Sequence, residues 1–341
     1  MKNLLRFITT IILPLILFYG CSLKKSPQTY KETRLLMGTY VSLTCISQKD
    51  PALVKTAIEK TFQKMENLEK QLSRNLPESE IYKINHRDKQ SSFKLSAETF
   101  RVLQLSLKIC SVSNGAFDIT INPLLQYWKK AKAKDELPSQ GNLFTLIKKK
   151  MGYQNIHLNP ENKEIILKNP QTTLDLGGIA KGYIVDQGIK VLKEEGFSNI
   201  MIDAGGDIYT SGKNSTNIPW QIGIQDPKTS TNILQIINIS NRGVATSGNY
   251  ERFFTIKNKK YSHIINPKNG WPVNDILSVT IISPTCALSD GIATAVTVLG
   301  KKEGLALIEQ FPEVEGMIIS NMDKDSLDII TSSGFDRYIS P

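Results

Sequence analysis

The fold class is set by residues 38–72, which read GTYVSLTCISQKDPALVKTAIEKTFQKMENLEKQL. Residues 38–46 alternate and are rich in β-forming residues, and this period of two predicts a β-strand. Asp50 and Pro51 follow as an N-cap and a first-turn proline. Apolar residues then recur every three or four positions, which predicts an amphipathic helix with these residues in the core: Val54, Ile58, Phe62, Met65, Leu68 and Leu72.

Runs of strands with helices between them continue to the end of the chain. Ser96 caps a second predicted helix that ends at Asn114 and Gly115. Further helices are predicted over residues 181–195, 289–299 and 303–310, and strands over residues 164–168, 199–203, 220–225, 234–239, 253–257, 260–265, 277–283, 316–320 and 327–331. Residues 128–141 are expected to form a polar surface connection. The pattern indicates an α+β fold with mixed or largely antiparallel sheets flanked by helices.

The composition excludes several classes of protein. The 341 residues are 40% apolar and 22% charged, which is typical of a globular chain and not of a disordered one. Lysine and arginine number 42 against 32 acidic residues, but no nucleic-acid motif accompanies them. The excess is either a solvated basic face or an attraction to anionic lipid or a polyanionic small substrate. Three histidines and no GxSxG segment give little support to a serine hydrolase.

The N-terminus has the pattern of an export signal. Lys2 and Arg6 precede an apolar stretch over residues 7–19, which is shorter than the roughly 20 residues that span a bilayer. The following Gly20 and Cys21 resemble a bacterial lipobox; a plain cleaved signal or a short anchor are the alternatives. We therefore expect a signal peptide over residues 1–20, lipidation of Cys21, a tether over residues 21–33 and one domain over residues 34–341. The protein would then be anchored to a membrane of the bacterial cell envelope, inner or outer, on its extracytoplasmic face.

Two glycine-containing segments carry candidate binding residues. In LDLGGIAKGY (residues 174–183) a strand and two glycines precede a helix, so that the helix N-terminus and Lys181 can face an anion. In SDGIAT (residues 289–294) Asp290 and Thr294 are four residues apart on one helix face. A carboxylate and a hydroxyl form a hard-oxygen pair suited to Mg²⁺. The plainer alternatives are a surface lysine and an aspartate that favours the helix dipole.

Two further segments hold a candidate base and an isolated charge. In YSHIINPKNG (residues 261–270) His263 is predicted in a strand before a turn, where it is either structural or a general base. In GAFDITINP (residues 115–123) Asp118 lies among apolar residues, and its charge requires backbone donors or a ligand.

The order of these segments resembles that of the ApbE family, the FAD:protein FMN transferases. The resemblance covers residues 37–331 and seven segments: Met37-Gly38-Thr39, GAFDIT, LDLGGIAKGY, IDAGGDIYTSG, ATSGNYERFF, YSHIINPKNGWPV and SPTCALSDGIATAV. It implies that FAD contacts Met37, Ala116, Phe117, Asp118, Asp175, Lys181 and Ile265. It also implies that His263 is the catalytic base and that Mg²⁺ is held by Gly178, Asp290, Ala293 and Thr294, with Ala293 offering its carbonyl.

The resemblance implies phosphoryl transfer. A threonine or serine hydroxyl of an exported or membrane acceptor flavoprotein attacks the FMN phosphorus of FAD, AMP leaves, and FMN becomes a phosphoester. Such chemistry depends on positioning and charge neutralisation, which Mg²⁺, Lys181 and a neutral imidazole can provide. A passive FAD-binding lipoprotein and a solute-receptor lipoprotein are the alternative classes.

Asn75 departs from the family pattern. It lies in LSRNLPESEI (residues 72–81), at a position where the family often has an aromatic residue. An aromatic side chain there can stack on a FAD ring, and asparagine cannot. The hypothesis is looser FAD retention and access for water, which would make the protein a Mg²⁺-dependent FAD pyrophosphatase that yields FMN and AMP.

Overall fold

The structure, a computed structural model, describes residues 26–87, 92–229, 231–248, 253–321 and 326–339. Its strands, in chain order, are β1 (Gln28–Leu36), β2 (Thr39–Ser47), β3 (Ser92–Lys94), β4 (Ile156–Asn159), β5 (Glu164–Leu167), β6 (Asn199–Ala204), β7 (Asp207–Ser211), β8 (Trp220–Gln225), β9 (Ile233–Ile239), β10 (Arg242–Gly248), β11 (Phe253–Ile256), β12 (Lys259–Ser262), β13 (Ile276–Ser283), β14 (Glu315–Asn321) and β15 (Leu327–Thr331). Its α-helices are α1 (Pro51–Leu72), α2 (Glu80–Asn85), α3 (Ala97–Val112), α4 (Asn122–Lys134), α5 (Gln140–Lys150), α6 (Ala180–Glu194), α7 (Cys286–Leu299) and α8 (Lys301–Ile308).

An eight-stranded sheet in the order β1-β2-β6-β7-β10-β13-β14-β15 forms the centre of the molecule. Each neighbouring pair in it is antiparallel. Three smaller antiparallel sheets consist of β3-β5-β4, β8-β9 and β11-β12. The α+β prediction is therefore confirmed, and every strand pairing of the described residues is antiparallel.

Three apolar clusters hold the layers together. The largest lies between one face of the central sheet and helices that include α1, α6 and α7. The second lies between the other face and the β8-β9 hairpin, with Phe335 fully buried in it. The third joins α4 and α5 to β11 and β12 around Trp128, whose indole Nε1 donates to the Gly270 carbonyl at 2.7 Å.

Helix α1 forms as predicted because its capping and its apolar spacing agree. The Asp50 carboxylate accepts a hydrogen bond from the Ala52 backbone N–H at 2.7 Å, and Pro51 occupies the first turn. All six apolar residues of the predicted stripe are buried. The stripe packs against α6 and β2, so it fixes this helix to the sheet.

The first turn of α7 lies unusually close to α6 and β10. A Cβ at Gly182 of α6 would come within 2.4 Å of the Cys286 carbonyl oxygen, and one at Gly243 of β10 within 2.3 Å of the Cys286 nitrogen. The Asp186 carboxylate of α6 accepts the Cys286 and Ala287 backbone N–H groups at 2.7 and 2.9 Å. These contacts satisfy N–H groups that a helix start leaves without intrahelical partners.

Four sequence expectations are corrected. Residues 128–141 are helical for most of their length, since α4 and α5 bury Trp128, Ala131 and Leu143 in the third cluster. The expected tether ends earlier, because β1 begins at Gln28 and pairs with β2 along its whole length. Helix α7 begins at Cys286 rather than Ser289, because Thr285 is its N-cap. His263 follows the end of β12 and is not within the strand.

The expected signal peptide and Cys21 lie outside the described residues. Within the described ranges, no helix combines the length and the apolar character needed to cross a bilayer.

Gly182→Ala is expected to destabilise the protein by about 3 kcal/mol, because the added methyl group must displace the backbone of α7. Urea unfolding monitored by circular dichroism measures this. Gly141→Ala in α5 is the matched control: its Cβ meets nothing within 4 Å, so a gain of about 0.5 kcal/mol is expected. Equal unfolding midpoints for the two variants would contradict the close-packing argument.

Candidate active site

A cleft of about 650 Å³ opens between the central sheet, α1, α6, α7 and the segment after β12. This volume is typical of sites for small-molecule ligands. The predicted residues that line it are Met37, Asn75, Ala116, Phe117, Asp118, Asp175, Gly178, Lys181, His263, Ile265, Asp290 and Thr294. The fold therefore brings residues from six separate sequence segments into one cavity.

Lys181 forms the positive centre of the cavity. Its ammonium group donates to Asp207 Oδ2 at 2.6 Å, and Asp207 is only 2% exposed. Burial alone would lower the pKa of Lys181, but the charges of Asp207 and Asp290 outweigh it and raise that pKa above its ordinary value. The lysine is therefore held as a cation, and its orientation is fixed by β7.

Asp290 lies deep in the cavity, beside the same carboxylate. Burial and the negative charge of Asp207 both raise the pKa of Asp290 well above its usual range. Its Oδ2 atom accepts the Gly182 backbone N–H at 3.3 Å. Asp207 and Asp290 thus bring two carboxyl groups to one lysine, and the raised pKa of Asp290 means that its carboxyl group holds a proton more readily than an exposed one does.

The oxygen atoms of Asp290 and Thr294 would suit a divalent cation. Asp290 and Thr294 present a carboxylate and a hydroxyl on one face of α7, as the sequence predicts. A Cβ at Gly178 would lie 3.0 Å from Thr294 Oγ1, so the glycine leaves room beside the hydroxyl. Among the described residues, no group of three or more His, Cys, Asp or Glu side chains is arranged to hold a metal. A cation here would therefore depend on few protein side chains and on oxygen atoms of the ligand.

Among the predicted site residues that the structure describes, Ala293 alone does not line the cavity. It is fully buried in the main apolar cluster, and its carbonyl oxygen accepts the Thr297 hydroxyl at 2.8 Å. The α-helical geometry directs this carbonyl along α7 and not toward Asp290. The described structure therefore gives no support to Ala293 as a fourth ligand.

Two other carboxylates of the cavity have intramolecular partners. Asp118 accepts the Thr120 backbone N–H at 2.8 Å and its hydroxyl at 2.7 Å; burial nevertheless raises the pKa of Asp118. Asp175 accepts the Gly177 N–H at 2.7 Å and forms an ion pair with Arg74. The isolated charge of Asp118 thus has backbone donors, which was one of the two predicted outcomes.

His263 and Met37 lie in two turns at the edge of the cavity. His263 is exposed and directly follows β12. Met37 and Gly38 connect β1 to β2 and have φ values of +55° and +70°, as a two-residue hairpin turn requires. The Met37 backbone N–H donates to Glu69 Oε1 of α1 at 3.0 Å. Both residues are therefore positioned by hairpins of the sheets.

The lining residues that were not predicted include three polar side chains of note: Asp207, Arg74 and Thr246. Asp207 ends the segment DAGGD, which is quoted above within IDAGGDIYTSG without a role for either of its carboxylates. Its role depends on β6 and β7 turning back beneath Lys181, which no local pattern reveals. Thr246 is on β10, and its hydroxyl lies 2.9 Å from that of Thr280.

The fold is shared with solved structures of ApbE proteins. The ApbE protein of Thermotoga maritima superposes with a TM-score of 0.82 at 27% identity, over 92% of this chain and all of the other. The flavin transferase ApbE of Vibrio cholerae gives 0.79 at 26% identity, over 92% and 99% of the two chains. A V. cholerae protein named FAD:protein FMN transferase is 29% identical, over 96% of this chain and 97% of its own.

The chain belongs to the ApbE family, whose sequence model matches residues 37–318. The matched range contains every residue of the described site, from Met37 to Thr294.

Lys181→Met is expected to lower the free energy of unfolding by about 3–5 kcal/mol in EDTA, because it leaves two buried carboxyl groups without a cation. Urea denaturation at constant pH measures the change. Lys190→Met is the matched control on the same helix: its ammonium lies 3.8 Å from Glu194 and both side chains are exposed, so a change within about 0.5 kcal/mol is expected. A loss at Lys181 no larger than the control would show that this lysine does not compensate a buried charge.

Proposed function

We propose that the protein transfers FMN from FAD to a threonine or serine hydroxyl of an acceptor flavoprotein, forming a phosphoester and releasing AMP. One observation carries the proposal. His263, Lys181, Asp290 and Thr294, which come from three separate motifs, line one cavity of ligand size in a chain of the ApbE family. The names of the relatives, FAD:protein FMN transferase and flavin transferase, support the same activity.

Each of these residues has a place in the reaction. The His263 imidazole accepts the proton of the acceptor hydroxyl, whose oxygen attacks the FMN phosphorus while the bond to AMP breaks. Lys181, held by Asp207 at 2.6 Å, can donate a further hydrogen bond to a phosphate oxygen. Asp290 and Thr294 would hold Mg²⁺, which neutralises charge at the pyrophosphate when it is bound. Asp175 orients Arg74 at the same wall of the cavity.

FAD hydrolysis to FMN and AMP is the second candidate activity. Asn75 lines the cavity, at the position where the sequence analysis expects an aromatic residue in the family. Its backbone N–H donates to Ser73 Oγ at 3.1 Å, within the turn that follows α1. A small polar side chain leaves this wall without a stacking surface, which favours the entry of water as the nucleophile.

We also propose that the protein is exported and anchored to a membrane of the cell envelope through lipid on Cys21. The basic residues Lys2 and Arg6, the short apolar stretch and the Gly20–Cys21 pair support this. Mass spectrometry of the mature N-terminus tests it: acylated Cys21 is expected, and an unmodified N-terminus elsewhere in the chain would rule the proposal out.

The central experiment incubates the chain from Ser22 onward with FAD and Mg²⁺, with and without a threonine-containing acceptor domain. AMP is quantified by chromatography and covalent flavin by in-gel fluorescence. We expect AMP and flavinylated acceptor together, both abolished by EDTA and reduced at least about 100-fold in His263→Ala, in line with the loss of a general base. Flavin binding without AMP in either reaction would leave only a passive carrier.

In the same assay, Asn75→Tyr is expected to tighten FAD binding about three- to tenfold, the equivalent of an aromatic stacking contact. AMP release without acceptor is expected to fall, because the ring excludes water. Asn75→Ala is the control, since it removes the amide without adding a stacking surface. Unchanged FAD affinity and unchanged hydrolysis in Asn75→Tyr would refute the proposed effect of this position.

A further inference from the structure

Almost all of the net positive charge of the chain is concentrated in one part of the fold. We define the basic lobe as residues 122–151 and 253–271, which contain α4, α5, β11 and β12 and share the third apolar cluster. The lobe has eleven lysines, no arginine and two acidic residues, Asp135 and Glu136. It therefore has a net charge of +9, out of +10 for the whole chain.

The lysines of the lobe are available to an external partner. Ten of the eleven are exposed and the last is half-buried: Lys129, Lys130, Lys132, Lys134, Lys148, Lys149, Lys257, Lys259, Lys260, Lys268 and, half-buried, Lys150. Within the described residues none of them forms an ion pair, whereas Lys60, Lys64, Lys181 and Lys301 elsewhere in the chain do. The positive potential of the lobe is thus not compensated by its own fold.

Apolar side chains project from the same lobe. Phe144 is 60% exposed on α5, Phe253 is 47% exposed on β11 and Leu137 is 43% exposed in the loop between α4 and α5. The Lys260 ammonium lies 4.3 Å from the centre of the Phe253 ring. Lysines interspersed with single exposed aromatic and aliphatic side chains are typical of surfaces that bind at the interface of a membrane.

The lobe lysines do not serve the cavity directly. Of the lysines in the described chain, Lys181 alone lines the cleft. The lobe nevertheless borders the cleft, because Leu125 of α4 and Ile265 after β12 form part of its wall. A ligand inside the cleft therefore does not explain the positive charge of the basic lobe. An extended anionic surface beside the cleft would explain it.

We infer that the basic lobe binds the surface of a membrane rich in anionic phospholipid. The residue types favour lipid over an acidic protein. Protein interfaces are enriched in arginine and depleted of lysine, and the lobe has eleven lysines and no arginine. Attraction to a layer of anionic headgroups needs only point charges near the surface, which lysine provides.

The test is co-sedimentation of the chain from Ser26 onward with vesicles. This form contains every helix and strand that the structure describes and lacks Cys21, so lipid on Cys21 contributes nothing. The vesicles contain either phosphatidylcholine with 30 mol% phosphatidylglycerol or phosphatidylcholine alone. We expect binding to the anionic vesicles only, with a decrease of at least tenfold in 0.5 M NaCl because salt screens the attraction.

Two quadruple variants with the same change in charge locate the surface. The lobe variant replaces four lysines with glutamine, and we expect it to reduce binding at least tenfold: Lys132, Lys134, Lys148 and Lys259. The control variant replaces four exposed lysines outside the lobe, and we expect it to bind within about twofold of the parent: Lys55, Lys70, Lys108 and Lys302. Thermal unfolding checks that both variants remain folded.

Three outcomes overturn the inference. The first is the absence of binding to anionic vesicles. The second is an equal loss in both quadruple variants, which would indicate overall charge without a defined surface. The third is unchanged vesicle binding in the lobe variant together with weaker binding to an acidic protein acceptor, which would assign the lobe to a protein partner. Phe144→Ser, compared with Leu53→Ser on α1, reports whether exposed apolar side chains add to the binding.

Discussion

The candidate site depends on the position of the first turn of α7. That turn lies between α6 and β10, and glycines at 182 and 243 allow both backbones to approach it more closely than any side chain would permit. The Asp186 carboxylate holds it with two hydrogen bonds to backbone N–H groups. Burial raises the pKa of Asp186 to about 7, while these donors act in the opposite direction. A shift of this turn by one residue would move Asp290 and Thr294 out of the cavity.

The same close packing buries the charged groups of the site, and this burial costs free energy of folding. Asp207 and Asp290 are 2% and 5% exposed and lie near a single ammonium group. Buried ionic groups of this kind add little to stability and are strongly destabilising when one partner is lost. We attribute their retention to the proposed binding of a divalent cation, whose positive charge the buried carboxyl groups would help to hold. The surrounding apolar cluster provides the stability that this centre does not.

The parts predicted from sequence are those whose signals are local. Pro51, the stripe of α1 and the spacing of Asp290 and Thr294 each define structure within a few residues, and all three are confirmed. Residues 128–141 were predicted to be a surface connection because they are rich in lysine. Most of them belong instead to two amphipathic helices, α4 and α5, whose Trp128 and Leu143 are buried by contacts with strands distant in sequence. Asp207 was missed because its partner, Lys181, is 26 residues away and meets it only through the sheet.

The resemblance of the segments to a family carried more of the functional prediction than their periodicity did. His263 alone is better explained as a structural histidine, and the proposal that it acts as a base rests on its presence in one cavity with Lys181 and Asp290. It directly follows β12, which belongs to the basic lobe, whereas Lys181 and Asp290 belong to the main body. The cavity is thus formed where a lobe of charge +9 meets a body of nearly neutral charge. A surface that binds the lobe would consequently lie on the side of His263, where the proposed reaction requires the acceptor hydroxyl to enter.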